Sequence, residues 1–452
     1  MASSRLTRAV ASAAAAVAVV ASGVVTSASG ATSGRPAAVT FHDSRHIHVV
    51  STQRLDDRQY AVRVLSPALG RPVDVRVLVP RGYDPASSRR YPVLYLFHGT
   101  SGRASDWVQM GEAEATTERL PVITVMPDAG FDGNGGGWFT DWVDRTTALG
   151  PSRWETFHIR HVIPWIDANL RTIRSRDGRA VAGLSQGGFG STTYAARHPD
   201  LFCSVASFSG APEIARDPDV TVGATAVIYA TAYGLDGVQP EAMFGSRVTH
   251  AVNWAGHDPA SLIDNLRSTA IHLWTATGAN GPYDPEPNPA GTGIEYLTHV
   301  STEHFHQHLI EADVPSRYHD YTYGTHTWAY WARDLQQYAR AMMHDFAHPR
   351  RPTSTTFTSI DKRWTQWGWT VAFDRAAEQE FSELTYGSRS GFTLTGSGTA
   401  SVRTPRFYTP GEALRLTGLG SARIVHAGRD GRLRLSVPLT SGTATARLAS
   451  AG

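Results

Sequence analysis

The stretch at residues 180–188 constrains the fold more than any other part of the chain. It reads Ala-Val-Ala-Gly-Leu-Ser-Gln-Gly-Gly, so a short apolar segment runs into a Gly-x-Ser-x-Gly motif, and helix-compatible sequence follows. A tight turn from strand to helix needs glycine at Gly183 and Gly187, because side chains there would clash, and it strains the backbone of the serine. The spacing predicts that Ser185 is a nucleophile at the edge of a sheet.

The surrounding pattern indicates what kind of sheet this is. Continuous apolar runs at residues 93–97 and 122–126 are typical of strands buried on both faces, and helix-like stretches separate such runs. Before them, residues 42–80 alternate between apolar and polar side chains, as half-buried antiparallel strands do. We therefore expect an α/β-hydrolase fold, with a mostly parallel sheet covered by helices on both faces.

The chain divides into three predicted regions. Residues 1–31 have the layout of a secretory signal peptide, with two arginines, an alanine- and valine-rich run, and small residues around a cleavage site. Residues 32–348 form the predicted hydrolase domain. Residues 349–452 begin with a proline-, arginine- and serine-rich linker and continue with short alternating segments between glycine turns. That pattern predicts a small all-β, sandwich-like domain of an exported protein.

Charge and cysteine content exclude some classes of protein. The net charge is +2, and Arg5 and Arg8 are the only charged residues before Arg35, so cleavage of the predicted signal leaves a nearly neutral chain. We therefore expect no nucleic-acid partner. A monomer is expected, either secreted or associated with the cell envelope. The single cysteine, Cys203, begins an apolar run and is expected to be a buried thiol.

A serine nucleophile needs an oxyanion hole and a general base. The backbone N–H of Gln186, directly after the nucleophile, and that of Thr100, in the loop after residues 93–97, are the expected oxyanion donors. His98, in the same loop, is expected to be architectural. Because the base follows the acid in the chain order of this fold, His326 in a late glycine-containing loop is the predicted base.

The acid that orients this histidine is less defined by the residues alone. Asp284 lies in the loop directly after a predicted strand at residues 271–277, Glu295 opens a predicted helix, and Glu303 lies farther along that helix. Position in a loop after a strand favours Asp284 among the three.

Several separated motifs are similar to one known family. They lie before the nucleophile, around it and in the histidine loop: Asp141–Trp142, Trp154–Phe157, Pro164–Trp165, Gly183–Ser185, His198–Pro199 and Gly324–Trp331. Over residues 59–346 the chain resembles the antigen-85-like mycolyltransferases, secreted actinobacterial relatives of the esterase-D type α/β-hydrolases. In that family the acid is a glutamate ten positions before a phenylalanine. Glu295 and Phe305 have this spacing, so the resemblance implies Glu295 as the acid.

The resemblance also implies a function, with one departure. The family forms an acyl-enzyme and transfers the acyl group, and its first oxyanion loop carries charged residues that meet trehalose. Here that loop has His98, Gly99, Thr100 and Ser101 instead, so trehalose is not implied as the acceptor. The expected activity is that of a serine esterase or acyltransferase acting on carboxylic esters, with water or a hydroxyl compound as acceptor. The alternatives are a carboxylesterase of carbohydrate or lipid esters, and a degenerate cell-wall or carbohydrate-binding protein.

The remaining candidates concern the substrate and possible ligands. Trp107, Trp138 and Trp328 are the expected substrate-binding residues, and the glycine-rich stretch at residues 133–137 is expected to be a flexible loop at the rim of the site. His304 and His308, four residues apart, have a spacing that can bind zinc on a helix. A solvated, histidine-rich helix face is the expectation here, so no metal and no cofactor are predicted.

Overall fold

The computed structural model describes residues 38–284 and 286–451. The predicted signal peptide at residues 1–31 therefore lies outside the described residues. Within the described ranges, the helices are all too short or too polar to cross a membrane. A nine-stranded sheet with helices on both faces is followed by two antiparallel sheets near the C-terminus.

The nine-stranded sheet is parallel in its larger part. Its strands are β1 (His48–Arg54), β2 (Gln59–Leu65), β3 (Val73–Leu78), β4 (Val93–Phe97), β5 (Ile123–Pro127), β6 (Arg179–Leu184), β7 (Ser204–Phe208), β8 (Ala270–Ala276) and β9 (Ser316–Tyr321). They lie in the order β1-β2-β3-β5-β4-β6-β7-β8-β9. The first three are antiparallel and β3 pairs antiparallel with β5, whereas the pairs from β5 to β9 are parallel.

Helices cover both faces of this sheet. The α-helices are α1 (Asp106–Gln109), α2 (Ala113–Thr117), α3 (Ile163–Asn169), α4 (Gln186–Arg197), α5 (Pro218–Ala230), α6 (Ala251–Gly256), α7 (Pro289–Glu311) and α8 (Trp328–Ala347). Two π-helical segments (Thr156–Val162 and Thr231–Leu235) and three 3-10 segments (Arg176–Gly178, Pro240–Ala242 and Pro259–Leu266) complete them. The first π-helical segment runs directly into α3.

Strand β4 shows why the sheet is buried on both faces. Successive side chains of a strand point to opposite faces. Val93, Tyr95 and Phe97 pack into the larger core cluster, together with α4. Leu94 and Leu96 pack into a second cluster, which includes residues of α8. The continuous apolar run therefore reflects two cores separated by one sheet, and the predicted α/β-hydrolase class is confirmed.

The C-terminal part is all β, as predicted. Its strands are β10 (Thr355–Asp361), β11 (Arg363–Gln366), β12 (Trp369–Asp374), β13 (Gln379–Ser388), β14 (Gly391–Thr395), β15 (Thr399–Arg403), β16 (Ala413–Thr417), β17 (Arg423–His426), β18 (Arg434–Pro438) and β19 (Thr443–Ser450). They form a six-stranded sheet, β10-β13-β14-β19-β16-β17, and a four-stranded sheet, β11-β12-β15-β18. Val371 of the smaller sheet and Leu394 of the larger lie in one apolar core, which is the packing of a sandwich.

The two parts of the chain meet at a buried charged cluster. Arg197 Nε, at the end of α4, lies 2.9 and 3.1 Å from the two oxygens of Glu155. His198 Nε2 lies 2.7 Å from Glu155 Oε1, so two of the family-like motifs touch here. Arg197 also pairs with Asp361 of β10 at 3.3 Å. Although burial alone would raise the pKa of Glu155, Arg197 and His198 hold that pKa well below its ordinary value.

This cluster predicts a large loss of stability on truncation. Arg197→Met leaves the Glu155 carboxylate buried without its main cation, which costs about 3–5 kcal/mol. Urea denaturation near neutral pH measures the loss, and Arg434→Met, which removes an exposed pair with Asp430, should leave the midpoint unchanged.

The same cluster predicts a pH dependence. Because the folded pKa of Glu155 is depressed, its contribution is present above the unfolded pKa of about 4.3 and is lost as pH falls through the folded pKa. Arg197→Met removes the cation that depresses this pKa, so we expect the variant to lose less stability than the native protein on acidification. An equal loss in both proteins between neutral and acidic pH would contradict this account.

Candidate active site

Ser185 occupies the sharp turn between β6 and α4. Its backbone has φ 53° and ψ −124°, a conformation that L-residues rarely adopt and that stores strain. A side chain at Gly183 would place its Cβ 2.3 Å from the carbonyl oxygen of Gly187, and one at Gly187 would lie 2.5 Å from that of His98. Both glycines are therefore required by close backbone approach, as the motif predicts.

The predicted site residues gather at one edge of the sheet. Thr100 follows β4, Ser185 follows β6, and His326 follows β9. These strands are parallel, so their carboxyl ends meet at the same edge, where open α/β sheets bind their ligands. The loop after β4 lies directly against the serine, because a Cβ on Gly99 would be 3.1 Å from Ser185 Cβ.

The two expected oxyanion donors are linked by a side chain that the sequence did not single out. Gln186 is 3% exposed, and its Nε2 donates to Thr100 Oγ1 at 3.1 Å. Its Oε1 accepts from the Trp138 N–H at 3.3 Å. This amide therefore fixes the distance between the loop after β4 and the N-terminus of α4, the two places from which the Thr100 and Gln186 N–H groups come.

His98 has both ring nitrogens occupied by backbone groups. Nδ1 donates to the Gly99 carbonyl at 2.7 Å, and Nε2 accepts from the Ala129 N–H at 2.8 Å. Burial lowers the pKa of this histidine, which suits the neutral ring that these two bonds require. The side chain is 2% exposed, and its bonds hold the first oxyanion loop in place.

Glu295 and His326 form a buried pair. Glu295 Oε2 lies 2.7 Å from His326 Nδ1, and Oε1 accepts from the Ala276 N–H at the end of β8 at 3.0 Å. The Glu295 side chain is completely buried and that of His326 is 9% exposed. A carboxylate on Nδ1 fixes the tautomer in which Nε2 is free to accept a proton.

The other ring nitrogen of His326, Nε2, is buried and is not hydrogen-bonded to any of the described residues. The ring lies edge-on to Trp331 at 4.8 Å, and the Trp331 indole N–H donates to Ser209 Oγ, just beyond β7, at 3.2 Å. This packing holds the imidazole at the carboxyl edge of the sheet.

The other two acid candidates lie in different places. Asp284 accepts hydrogen bonds from Thr325 Oγ1 and from the hydroxyl of Tyr330 at 2.5 and 2.6 Å, so it braces the histidine loop without touching His326. The Glu303 side chain is 64% exposed and lies 3.9 Å from His299. The position that favoured Asp284 was misleading, because α7 begins at Pro289 and brings Glu295, in its second turn, beneath the histidine.

The three predicted substrate-binding tryptophans differ in exposure. Trp328 is partly exposed and packs edge-on against Trp107 at 5.3 Å. Trp107 is 1% exposed and its indole N–H donates to the Phe97 carbonyl, so it is a buried residue against which Trp328 packs. Trp138 is 4% exposed and packs on Phe189 of α4 at 5.5 Å. Contact of these residues with a substrate stays a prediction.

The glycine-rich loop at residues 133–137 does lie beside the site. A Cβ at Gly136 would be 2.2 Å from Gln186 Oε1, and the backbone there has φ 154°, which L side chains rarely adopt, so glycine is favoured at this position. The loop is tied at two points: the Ser101 N–H donates to the Gly135 carbonyl at 2.7 Å, and the Gly136 N–H donates to Asp236 Oδ2 at 3.2 Å. The first bond connects it to the loop after β4, and the second connects it to the residue that follows the Thr231–Leu235 segment.

Comparison with known proteins agrees with this geometry. A family model described as "Putative esterase" matches residues 66–342. The chain belongs to this esterase family. Membership supports an ester hydrolase or acyltransferase activity, and it confirms the relationship inferred from the separated motifs.

Individual members of the esterase family show how far the similarity extends. Esterase Rv1288 of Mycobacterium tuberculosis is 34% identical over 284 residues, which are 62% of this chain and 58% of that protein. The chain thus spans less than two thirds of the length of this relative. Diacylglycerol acyltransferase/mycolyltransferase Ag85B of Mycolicibacterium smegmatis is 29% identical over 291 residues, or 60% of this chain and 81% of that one. The crystal structure of MPT51 from Mycobacterium tuberculosis, with 23% identity and a TM-score of 0.51, covers 65% of this chain and 98% of that one, and it shows the same fold.

Proposed function

We propose that this member of the esterase family is an exported serine esterase that works through an acyl-enzyme on Ser185. Ser185 Oγ attacks the carbonyl carbon of a carboxylic ester while His326 Nε2 takes its proton. The N–H groups of Thr100 and Gln186 stabilise the negative charge on the carbonyl oxygen. Glu295 holds the imidazole and stabilises its positive charge.

The second half of the reaction regenerates the enzyme. Protonated His326 gives its proton to the departing alkoxide, which leaves as an alcohol. The acyl group then remains on Ser185 as the acyl-enzyme. Water or an acceptor hydroxyl then attacks the acyl carbon, with His326 as the base, and Ser185 recovers its proton as the new acid or ester departs. The residues named here supply every proton transfer, and the scheme uses no cofactor.

One observation carries the proposal more than the others. The buried Glu295–His326 pair leaves Nε2 unpartnered at the edge of the sheet where the strained Ser185 turn lies. A structural ion pair would not need a free, buried imidazole nitrogen, whereas a general base does. A degenerate binding protein, the third possibility, would have no use for this arrangement.

The acceptor decides between hydrolysis and transfer. The similarity to a protein named as a diacylglycerol acyltransferase/mycolyltransferase supports transfer to a sugar or glycerolipid hydroxyl. The loop at residues 98–101 has no acidic residue, lysine or arginine, and both ring nitrogens of its His98 are bonded to backbone groups. This absence of charged side chains supports hydrolysis. We propose an esterase that transfers the acyl group mainly to water, with transfer to hydroxyl compounds as a further activity.

Export follows from the same proposal. The layout of residues 1–31 and the nearly neutral remainder of the chain support a secreted or envelope-associated monomer, with no nucleic-acid partner. A substrate among the lipid or carbohydrate esters of the cell envelope would be accessible there.

A product analysis tests the acceptor. The purified protein is given a short-chain aryl ester, with and without trehalose or glycerol, and the aryl alcohol, free acid and new ester are quantified separately. We expect the aryl alcohol to equal the free acid without acceptor, and new ester to rise at the expense of free acid with it. Free acid as the sole acyl product at every acceptor concentration would contradict the transfer activity while leaving the esterase proposal intact.

A further inference from the structure

A cluster of histidines and carboxylates lies outside the catalytic site, between α7 and the segment that follows β7. Its members are His304 and His308 on α7, Asp217 at the N-terminus of α5, and Glu213 in the preceding loop. One ligand atom each from Glu213, Asp217 and His304 lies within 4.8 Å of the others. The two histidines are the pair that the sequence presented as a helix face, and their partners are roughly ninety residues earlier in the chain.

Glu213 is the unusual member of this cluster. Its side chain is fully buried, and one oxygen, Oε1, accepts from the Asp217 N–H at 2.9 Å. The other oxygen, Oε2, has no hydrogen-bond partner among the described residues and lies 3.5 Å from His308 Nε2. A buried carboxylate oxygen without a donor is costly, and it is the arrangement expected where a cation supplies the missing interaction.

Three of the distances between the donor atoms are close to those in a tetrahedral metal site. Zinc binds nitrogen and oxygen at about 2.0–2.1 Å, so the ligands of a tetrahedral site are about 3.3 Å apart. Asp217 Oδ2 lies 2.8 Å from His304 Nδ1 and 2.9 Å from His308 Nε2. Without a metal these two contacts are hydrogen bonds, and moving the atoms apart by a few tenths of an ångström would allow both to bind a metal ion.

Both histidines also have a carboxylate beside the ring nitrogen that would not bind the metal. His308 Nδ1 lies 3.1 Å from Glu311 Oε2, and His304 Nε2 lies 3.4 Å from Asp219 Oδ2. Metal-binding histidines almost always donate their second N–H to such a group, which fixes the ring orientation and makes the ligand more basic. A merely solvated helix face would not provide this partner to each of two histidines.

The backbone around Glu213 is held in place by α7 itself. The Glu213 N–H donates to Ser301 Oγ at 3.0 Å, and the Ser301 hydroxyl donates back to the Glu213 carbonyl at 2.8 Å. Thr302 Oγ1 donates to the Gly210 carbonyl at 3.1 Å. The donor groups are therefore preorganised, while Asp217 and His304, each about 30% exposed at the side chain, leave an entry path from solvent.

We propose that Glu213, Asp217 and His304, whose ligand atoms lie within 4.8 Å of one another, bind one Zn²⁺ ion, and that His308, which contacts Asp217 and Glu213, completes its coordination. Two imidazoles and two carboxylates suit zinc better than calcium or magnesium, which prefer six or more oxygen ligands or retained water. Four protein ligands close the coordination sphere, so the ion is structural. It joins α7, which also carries Glu295, to the segment between β7 and α5.

The test measures metal directly, so its outcome is independent of the proposed catalytic activity. The full chain is produced without a polyhistidine tag in zinc-supplemented medium, and its metal content is determined by mass spectrometry. After removal of metal with a chelator, Zn²⁺ is titrated back by calorimetry, and Ca²⁺ and Mg²⁺ are titrated separately. We expect one zinc per chain, a rise in Tm on zinc binding, and no saturable binding of the other two ions.

Three variants localise the ion. His304→Ala and Asp217→Asn should weaken zinc binding by at least about 100-fold, more than the loss of an outer partner causes. His306→Ala is the matched control: it removes an imidazole from the same helix that stacks on Tyr318 instead, and it should bind zinc like the native protein. Absence of saturable zinc binding in the native protein, or equal binding in all three variants, would overturn the proposal.

Discussion

Replacing Ser185 with alanine should lower kcat for an aryl ester by about 10⁴- to 10⁶-fold and leave the fold intact. The variant loses the oxygen that is proposed to form the acyl-enzyme, whereas the Thr100 and Gln186 N–H groups and the Glu295–His326 pair remain in place. Alanine is smaller than serine, so it adds no clash in the strained turn, which has φ 53° at Ser185. Steady-state kinetics gives kcat, and circular dichroism with a thermal scan shows whether the fold is retained.

Ser191→Ala is the control for this experiment. Ser191 lies on the same helix, and its hydroxyl donates only to backbone carbonyls, including that of Ala206 at 2.9 Å. We expect this variant to keep kcat within about threefold of the native value, since its hydroxyl bonds only backbone carbonyls and its loss is a small change in packing. Substantial esterase activity in Ser185→Ala would contradict the assignment of the nucleophile.

Replacing Glu295 with glutamine should lower kcat by about 10³- to 10⁴-fold. The amide keeps the shape of the side chain but can donate to His326 Nδ1, which favours the tautomer whose Nε2 carries a proton and cannot act as a base. The loss should persist across the pH range in which the native enzyme is active, because it comes from the tautomer and not from a shifted titration. The pH profiles of kcat and kcat/KM measure it.

Asp284→Asn and Glu303→Gln separate Glu295 from its two competitors. Asp284 holds Thr325 and Tyr330, so its variant should lose stability with a kcat reduction of at most about tenfold, within the range of a supporting residue. Because Glu303 is largely exposed, Glu303→Gln should change neither kcat nor stability. If Asp284→Asn lost as much kcat as Glu295→Gln while remaining folded, the acid would be misassigned.

The nucleophile turn could be predicted from sequence because most of its causes are local. Gly183 is required by a contact with Gly187 in the same turn, and the strand and helix that flank Ser185 have their own apolar patterns. Only the contact that requires Gly187, with the His98 carbonyl, comes from another strand end. The position of His326 followed from chain order along the sheet. Continuous apolar runs indicated the parallel part of the α/β sheet, and alternating apolar and polar residues indicated the C-terminal β domain, although its individual short strands were not all predicted.

The acid could not be chosen from local pattern because a long helix determines it. Glu295 reaches His326 only because α7 begins at Pro289 and its second turn packs beneath the end of β8, where the Ala276 N–H binds the same carboxylate. Similarity to a known family, which records that packing, was the signal that identified Glu295. The carboxylate partners of His304 and His308 could not be predicted from local pattern either, because they come from the β7–α5 connection.

The C-terminal domain contacts the hydrolase domain near the end of α4 that is remote from Ser185. Arg197, at that end, pairs with Asp361 of β10, and neighbouring contacts join Asn265 to Thr358 and Asn253 to Gln379, whereas Ser185 precedes the start of the helix. Twelve helical residues span about 17 Å. The β-sandwich therefore contacts the hydrolase domain at the opposite end of α4 from the nucleophile, and we expect its removal to affect stability more than the chemical step.

The central claim is that Ser185 is an activated nucleophile, and covalent labelling tests it most directly. The folded native protein is treated with a fluorophosphonate probe, digested, and the modified peptide is mapped by mass spectrometry. The account predicts one adduct per chain on Ser185, lost in Ser185→Ala and greatly slowed in Glu295→Gln. No adduct on the folded protein, or an adduct elsewhere that persists in Ser185→Ala, would contradict it.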